Sequence, residues 1–364
     1  MESNNGTFLQ SLGSLQLLAV IAVVLGHFWL DDSVFLNSVG VSFCFVYSGF
    51  FTAMHHPFGQ DYGLRNHAAF MWGNLAKLYP LHLLAVALGV LVAVLCWDGG
   101  VGPKILLAHA ALLSPWIPDP SYYFGANPVA WFICDLFFLY LMAPLVVRFF
   151  KRITLTWQII LMVILLVLEF IGGYRNITDS SAPMDYSYIL YLYQFPPIRL
   201  LDFATGIILY NMTLTSTWQH LKERLTLASS TIIEVVAVLL FLVLNRAGKD
   251  VLHAHCYRAF CASAPAIVVL LSAFILTSTR QGLLSKVISI KPMAWLSKVS
   301  FEIYLLQFCV YFLVKYLCKQ CGLNEHLLPY FLVQMTCLIL TAWAAHRYYV
   351  MPLYRRLSRR LPQK

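Results

Sequence analysis

The stretch LQLLAVIAVVLGHFWL, residues 15–30, decides the class of fold. It contains no Asp, Glu, Lys or Arg. As a helix, this uncharged stretch would be ~24 Å long. A second unbroken apolar stretch, IILMVILLVLEF, occupies residues 159–170. Membrane β-barrels need short segments in which apolar and polar residues alternate. Helices are therefore the remaining way to satisfy the backbone of these stretches in lipid.

Composition extends this conclusion to the whole chain. Of 364 residues, 60% are hydrophobic and 11% are charged, whereas a soluble domain has about 45–50% and ~25%. We therefore expect an all-α integral membrane protein with about ten spans of ~20 residues, in contact with the lipid bilayer. The spans lie near residues 12–30, 35–54, 76–97, 128–147, 156–173, 198–214, 230–245, 258–278, 295–318 and 329–350. Residues 105–117 are too short to cross, which indicates a re-entrant or interfacial helix.

The charge pattern predicts orientation. The net charge is +9, and most of the 25 lysine and arginine residues fall on one side if the N-terminus is cytoplasmic. That bias places both termini in the cytoplasm. Cytoplasmic loops also account for the excess of lysine and arginine over acidic residues, so we expect no nucleic-acid partner. We see no internal repeat and expect a single domain over residues 1–364.

Several classes of site are not expected. The nine cysteines are scattered without paired CxxC motifs, so we predict no metal site. There is no Walker loop, GxGxxG, HExxH or GxSxG motif, which argues against an ATPase, a dehydrogenase, a zincin and a serine hydrolase.

Polar and ionisable side chains within spans are candidate sites, because each charged group costs several kcal/mol in lipid unless it is paired or hydrated. The candidates are Gln16, His27, Asp135, Glu169, Arg199, Asp202, Glu234, Glu302, Gln307 and His346.

Two pairs and one lysine have a local rationale. His27 and Asp31 share a helical face, so they form either a general base held by a carboxylate or a boundary histidine beside interfacial acids. Arg199 and Asp202 are three residues apart and form either a structural ion pair or a catalytic pair. Lys77 can meet a phosphate or extend its ammonium group to lipid headgroups.

Several segments, in order over residues 11–357, resemble the acyltransferase type 3 family of multipass membrane acyltransferases. In SLQLLAVIAVVLGHFW, His27 matches the family histidine and Gln16 occupies its arginine position. VGVSFCFVYSGFFT contains the family's SGF triplet, which begins at Ser48. LAKLYPLHLL is similar to RxxRIYPLYLL, with Lys77 in place of the second arginine and Tyr79 in the shared LYPL or IYPL motif.

The later segments continue this resemblance. NPVAWFICDLFFLYLMAPLV contains Asp135, and PPIRLLDFATGIIL matches the family at Arg199 and Asp202. WLSKVSFEIYLLQFCV keeps Tyr304 and has Gln307 where histidine is usual. YYVMPLYRRL is similar to the closing xExPxxR but lacks the acid.

The resemblance implies transfer of an acyl group, usually acetyl, from cytoplasmic acyl-CoA to a hydroxyl, often of a sugar. His27, with Asp31, would be catalytic, as general base or as acyl carrier. Lys77 and Arg65 would meet the coenzyme phosphates, with Gln16 and Tyr79 on the donor side. No bound cofactor and no metal are implied, because a thioester is already activated.

The expected setting is the inner (plasma) membrane of a bacterium, with an extracytoplasmic or lipid-linked carbohydrate as acceptor, such as a cell-envelope polysaccharide. Glycan-assembly proteins are compatible partners. Two alternatives stay open. Arg, Asp and His residues within spans also fit a transporter or flippase of a glycan precursor. The replacement of arginines by Gln16 and Lys77 fits a catalytically degenerate relative that acts as a scaffold.

Overall fold

The computed structural model describes residues 2–29, 34–59, 62–97, 99–178, 193–251, 260–322 and 328–359. Within these ranges the regular structure is helical, and no β-strand occurs. The prediction of an all-α chain is therefore confirmed. Its physical basis is that a helix satisfies its own backbone N–H and C=O groups, which lipid cannot do.

The helices have the following bounds. They are α1 (Glu2–Phe28), α2 (Val34–His55), α3 (Leu64–Cys96), α4 (Pro103–Ala110), α5 (Pro120–Tyr123), α6 (Trp131–Arg152), α7 (Leu155–Thr178), α8 (Pro196–Thr213), α9 (Ser216–Arg224), α10 (Leu227–Val251), α11 (Phe260–Thr277), α12 (Leu283–Ile288), α13 (Lys291–Leu296), α14 (Ser300–Gln320), α15 (Leu328–Ala344) and α16 (Met351–Ser358). Short 3₁₀ segments lie at Ser114–Trp116 and Ser297–Val299, and a π-helix at Ala345–Val350.

In the part of the chain that the structure describes, five helical segments are long and apolar enough to cross a membrane. They are Leu9–Phe28, Leu64–Cys96, Trp131–Arg152, Leu227–Arg246 and Lys291–Gln320. Shorter apolar helices occupy Val39–His55, Leu155–Leu168 and Ala264–Thr277. Over the described residues, each predicted span coincides largely with helical segments, and the chain is a membrane protein. The count of ten spans and the cytoplasmic position of both termini stay predictions.

The described residues group into two compact units. Unit 1 is drawn from 1–59, 143–185 and 197–300, and unit 2 from 60–142, 186–196 and 301–364. Helix α6 contributes residues to both units. The prediction of a single domain is not tested by this grouping and stays a prediction.

Within unit 1, α2 and α8 approach each other until their backbones touch. A Cβ atom on Gly49 would overlap the carbonyl oxygen of Phe203, and one on Gly206 would overlap that of Val46. Lipid gives helices no hydrophobic reason to associate, so close packing at small residues supplies the attraction. This contact explains the two glycines of the SGF and TGIIL segments.

A buried carboxylate organises another part of unit 1. Glu234 of α10 accepts hydrogen bonds from the backbone N–H groups of Gly282 (2.9 Å) and Ser285 (3.0 Å). It also accepts from the hydroxyls of Thr277 (2.9 Å) and Ser285 (2.6 Å). These bonds satisfy a charge that is 0% exposed and fasten the connection between α11 and α12.

In unit 2, side chains join segments that are distant in sequence. The amide Nδ2 of Asn127 donates to the carbonyl of Leu305 in α14 at 2.9 Å. The indole Nε1 of Trp72 donates to the carbonyl of Leu357 at 3.1 Å and ties α3 to α16. The π-helix lies directly before Pro352, whose ring would clash with the Tyr348 carbonyl in an α-helix.

We expect Gly49→Ala and Gly206→Ala each to lower the free energy of unfolding by about 2 kcal/mol or more, because the new methyl group meets backbone that cannot rotate away. The measurement is thermal unfolding of the detergent-purified chain. Gly59→Ala is the control, since nothing lies within 4 Å of the position that its methyl group would occupy, and its effect should stay within ~0.5 kcal/mol. Equal midpoints for all three variants would contradict the close crossing.

Candidate functional site

Helix α1 places Gln16 and His27 on one face. Eleven residues correspond to about three helical turns, or ~16 Å along the axis. His27 lies in the last turn of α1, where its side chain is exposed, and Gln16 is half-buried. The spacing thus directs both polar groups to the same side of the helix.

The carboxylate predicted to hold His27 is not placed by the structure. Asp31 lies outside the described residues, as does the side chain of Glu169. The pairing of His27 with Asp31 and its catalytic role stay predictions.

Arg199 and Asp202 form a buried ion pair in α8. Nη1 of Arg199 lies 2.8 Å from Oδ2 of Asp202, and the two side chains are 0% and 2% exposed. The same Nη1 donates to Oγ of Ser42 at 3.1 Å. The guanidinium lies 5.5 Å from the ring centroid of Phe45, within cation–π range. The pair predicted from three-residue spacing is present, and it joins α8 to α2.

Ser48 has a local role in the helix. Its hydroxyl donates to the carbonyl of Cys44, one turn earlier in α2, at 2.8 Å. Serine within a membrane helix satisfies its hydroxyl in this way. In the SGF triplet it is Gly49 whose size is constrained by packing, because it lies at the crossing with α8.

The donor-side candidates of unit 2 all lie on α3. Arg65 is its second residue and Lys77 lies further along it, and both side chains are exposed. Tyr79 is different, because its hydroxyl donates to the carbonyl of Ala110 at 2.8 Å. Tyr79 therefore connects α3 to the end of α4, while the two basic groups are accessible.

The other unit 2 candidates are buried. Asp135 is 0%, Tyr304 3% and Gln307 1% exposed. The Tyr304 ring packs against that of Phe132, with centroids 4.9 Å apart. Nε2 of Gln307 donates to the Tyr304 carbonyl at 2.7 Å, so its amide bonds within its own helix.

Sequence analysis missed a pair of buried histidines. Nε2 of His82 in α3 lies 2.8 Å from the carbonyl oxygen of His109 in α4. Nε2 of His109 lies 2.8 Å from that of Tyr122. Both rings are 0% exposed, and among the described residues neither Nδ1 has a hydrogen-bond partner. The signal was a histidine in the apolar run of LYPLHLL.

Another histidine, His346, pairs with Glu302. Both residues are candidates within predicted spans, but the sequence does not connect them. Nδ1 of His346 in the π-helix lies 2.6 Å from Oε1 of Glu302 in α14. The carboxylate side chain is 5% and the imidazole 28% exposed. Because 44 residues separate them, no helical spacing predicts this contact.

His109 lies outside the spans, and burial lowers its pKa to about 4, with the nearby His82 acting in the same direction. Donation to the Tyr122 carbonyl opposes the shift only in part. The ring is therefore neutral at pH 7 and serves as a hydrogen-bond donor that fixes the segment after α4.

Comparison with known proteins gives the following findings. The family model described as acyltransferase domain matches residues 9–347, a range that contains every candidate described above. Acyltransferase MdmB of Streptomyces mycarofaciens is 28% identical over 240 residues, which are 58% of this chain and 59% of that protein. The chain thus matches about three fifths of that relative's length. No solved structure matches the chain.

Asp202→Ala should lower the free energy of unfolding by about 3–5 kcal/mol, because it leaves the Arg199 guanidinium buried without its counter-charge. Thermal unfolding of the purified chain measures this loss. The double variant Arg199→Met/Asp202→Leu should recover much of it, since it buries no charge. A single variant as stable as the wild type would show that the pair does not support the fold.

Stability should fall as the pH is lowered from 7 to 5. The unfolded chain takes up a proton at His109 near pH 6.5, whereas the folded chain takes it up only near pH 4. Protonation of the unfolded chain at pH 5 therefore lowers the free energy of unfolding by up to about 2 kcal/mol. Unfolding midpoints at both pH values should therefore differ less in His109→Gln than in the wild type. The same pH dependence in both proteins would refute this account.

Proposed function

Since the chain belongs to the acyltransferase type 3 domain family, we propose that it is a membrane acyltransferase. It transfers an acyl group, acetyl in our proposal, from cytoplasmic acyl-CoA to a carbohydrate hydroxyl. The observation that carries the proposal is the family match over residues 9–347, which includes a histidine at the accessible end of α1.

The proposed step is a single exchange of bonds. The acceptor hydroxyl oxygen attacks the thioester carbonyl carbon, so that a C–O bond forms and the C–S bond breaks. His27 takes the hydroxyl proton as general base, and the proton passes to the departing thiolate. General-base catalysis by a positioned histidine contributes about 10²–10⁴-fold. Asp31 holds the second imidazole nitrogen in this proposal.

The alternative for His27 is that it carries the acyl group. Its nitrogen would then attack the thioester, release the thiolate and pass the acyl group to the hydroxyl oxygen. Both routes use the same donor and product, and both require an accessible imidazole, which supports the assignment of His27.

The donor phosphates are assigned to basic groups on α3. Lys77 and Arg65 are exposed there, and ammonium and guanidinium groups form charge-assisted hydrogen bonds to phosphate. Tyr79 positions α3 through its bond to Ala110. Gln16 keeps hydrogen-bond donors without charge, and Asn74 stands at the first arginine of RxxR, so we propose that this chain binds the donor differently from arginine-bearing relatives.

The acceptor and location follow from the same resemblance. We propose an extracytoplasmic or lipid-linked glycan as acceptor and a bacterial plasma membrane as location. The Streptomyces origin of an acyltransferase relative and the lysine and arginine bias of the loops support a bacterial membrane protein with cytoplasmic termini.

His27→Ala should reduce acyl transfer at least ~10²-fold. The assay uses the full chain in lipid nanodiscs, [¹⁴C]acetyl-CoA and a lipid-linked glycan fraction of the host, and it counts label in the glycan. His220→Ala is the matched control, since His220 is exposed on α9, and it should keep full activity. Asp31→Asn should give an intermediate loss.

Ester content of the host's surface glycan, measured by proton NMR, provides the decisive comparison in cells. Esters should disappear in the deletion strain and in a His27→Ala strain with equal membrane abundance. Unchanged esters in both, together with altered glycan export in the deletion strain, would replace the enzyme by a transporter. Esters and export that are lost in the deletion strain but kept in the His27→Ala strain would indicate a scaffold.

A further inference from the structure

The N-terminal part of α3 extends beyond what a bilayer requires. The helix has 33 residues, or ~50 Å of length, against ~30 Å of hydrocarbon. Its predicted span begins near residue 76. Residues 64–75 therefore form an extension on the side where we expect the cytoplasm.

The end of the chain packs against this extension. Both the π-helix and α16 contact α3, and Trp72 donates to the Leu357 carbonyl. Lys77 lies five residues from Trp72, or ~7.5 Å along the helix axis. Arg355 and Arg356 directly precede Leu357. This contact brings the basic part of α16 beside the extension of α3. Lys77 lies about one and a half turns further along the axis and projects from a different face of α3 than Trp72.

These segments present exposed basic side chains, which we call the basic platform. Its members are Arg65, Lys77, Arg347, Arg355, Arg356 and Arg359.

The basic platform lacks neutralising acids among the described residues. Helix α3, the π-helix and α16 contain no Asp or Glu, while Asp61 lies outside the described residues. Glu302, which reaches the π-helix, is 4% exposed and is bonded to His346. Arg355 and Arg359 are four residues apart, a spacing at which like charges repel. An anion bound from outside would relieve this repulsion.

Phosphate is the anion that this chemistry fits best. Guanidinium groups bind phosphate with two parallel hydrogen bonds, and arginine is suited to such recognition. Several basic groups on neighbouring segments suit a ligand with several phosphates. Coenzyme A carries a 3′-phosphate and a pyrophosphate, and the basic platform includes the two α3 residues already assigned to its phosphates.

We propose that Arg355 and Arg356 of the basic platform bind the phosphate groups of acyl-CoA, together with Lys77. The 3′-phosphate contacts the two arginines. This inference rests on the proposed function and assigns the C-terminal helix to its donor site. Phosphates of anionic lipid headgroups share the same chemistry, so the test must separate the two sources.

The test compares Arg355→Gln/Arg356→Gln with the wild-type chain in nanodiscs. Equilibrium binding of radiolabelled CoA and of 3′-dephospho-CoA is measured first, followed by KM for both acetylated forms. The double variant should weaken CoA binding about tenfold or more and should change dephospho-CoA binding much less. Arg355→Lys/Arg356→Lys should be intermediate, because it keeps the charge and loses the bidentate geometry.

Lys286→Gln/Lys291→Gln is the matched control, since it removes two exposed charges from unit 1 and should leave CoA binding unchanged. Every binding measurement is repeated in phosphatidylcholine with and without phosphatidylglycerol. A loss of binding that occurs only with phosphatidylglycerol, equal for both ligands, would assign the platform to lipid and overturn the proposal.

Equal losses of CoA binding in Arg355→Gln/Arg356→Gln and in the control Lys286→Gln/Lys291→Gln would also overturn the proposal. If the wild type transfers acetyl groups but the arginine variant binds CoA normally, the donor-site assignment fails and the acyltransferase function stands. If the wild type neither binds CoA nor uses acetyl-CoA, both fail.

Discussion

The contact between α2 and α8 is the constraint on which much of unit 1 depends. Gly49 and Gly206 let the two backbones touch. Ser42 lies seven residues before Gly49, and Arg199 seven before Gly206, so on each helix both positions share one face. The glycine contact and the Arg199–Asp202–Ser42 group therefore belong to the same interface. Within this interface Asp202 and Ser42 both accept hydrogen bonds from Nη1 of Arg199.

Unit 2 meets the same demand by another route. The segment between α4 and α6 is not a long helix, so its buried carbonyl groups need hydrogen-bond partners from elsewhere in the protein. Tyr79 and His82 of α3 bond to the carbonyls of Ala110 and His109. His109 bonds in turn to that of Tyr122. These side chains explain why polar residues occur in and beside an apolar span, with structural roles that differ from the exposed Lys77.

The candidate residues fall into an accessible group and a buried group, and the proposed chemistry needs the accessible one. A histidine that exchanges a proton with substrate must be reachable, and His27 is exposed at the end of α1. Groups that bind phosphate must likewise project outward, as those of the basic platform do. Asp135, Tyr304 and Gln307 are buried, and the latter two contact a packing neighbour and the backbone of their own helix. Accessibility thus separates the candidates that sequence treats alike.

The sequence by itself determined what depends on near neighbours. Long apolar stretches require helices in lipid, and three-residue spacing was enough to predict the Arg199–Asp202 pair. Only the tertiary structure decided which faces meet. The Glu302–His346 pair, the His82–His109 pair and the contact of Trp72 with Leu357 join residues 44, 27 and 285 positions apart. Helical periodicity fixes the direction of a side chain relative to its own axis, but the partner on another helix depends on how the helices pack.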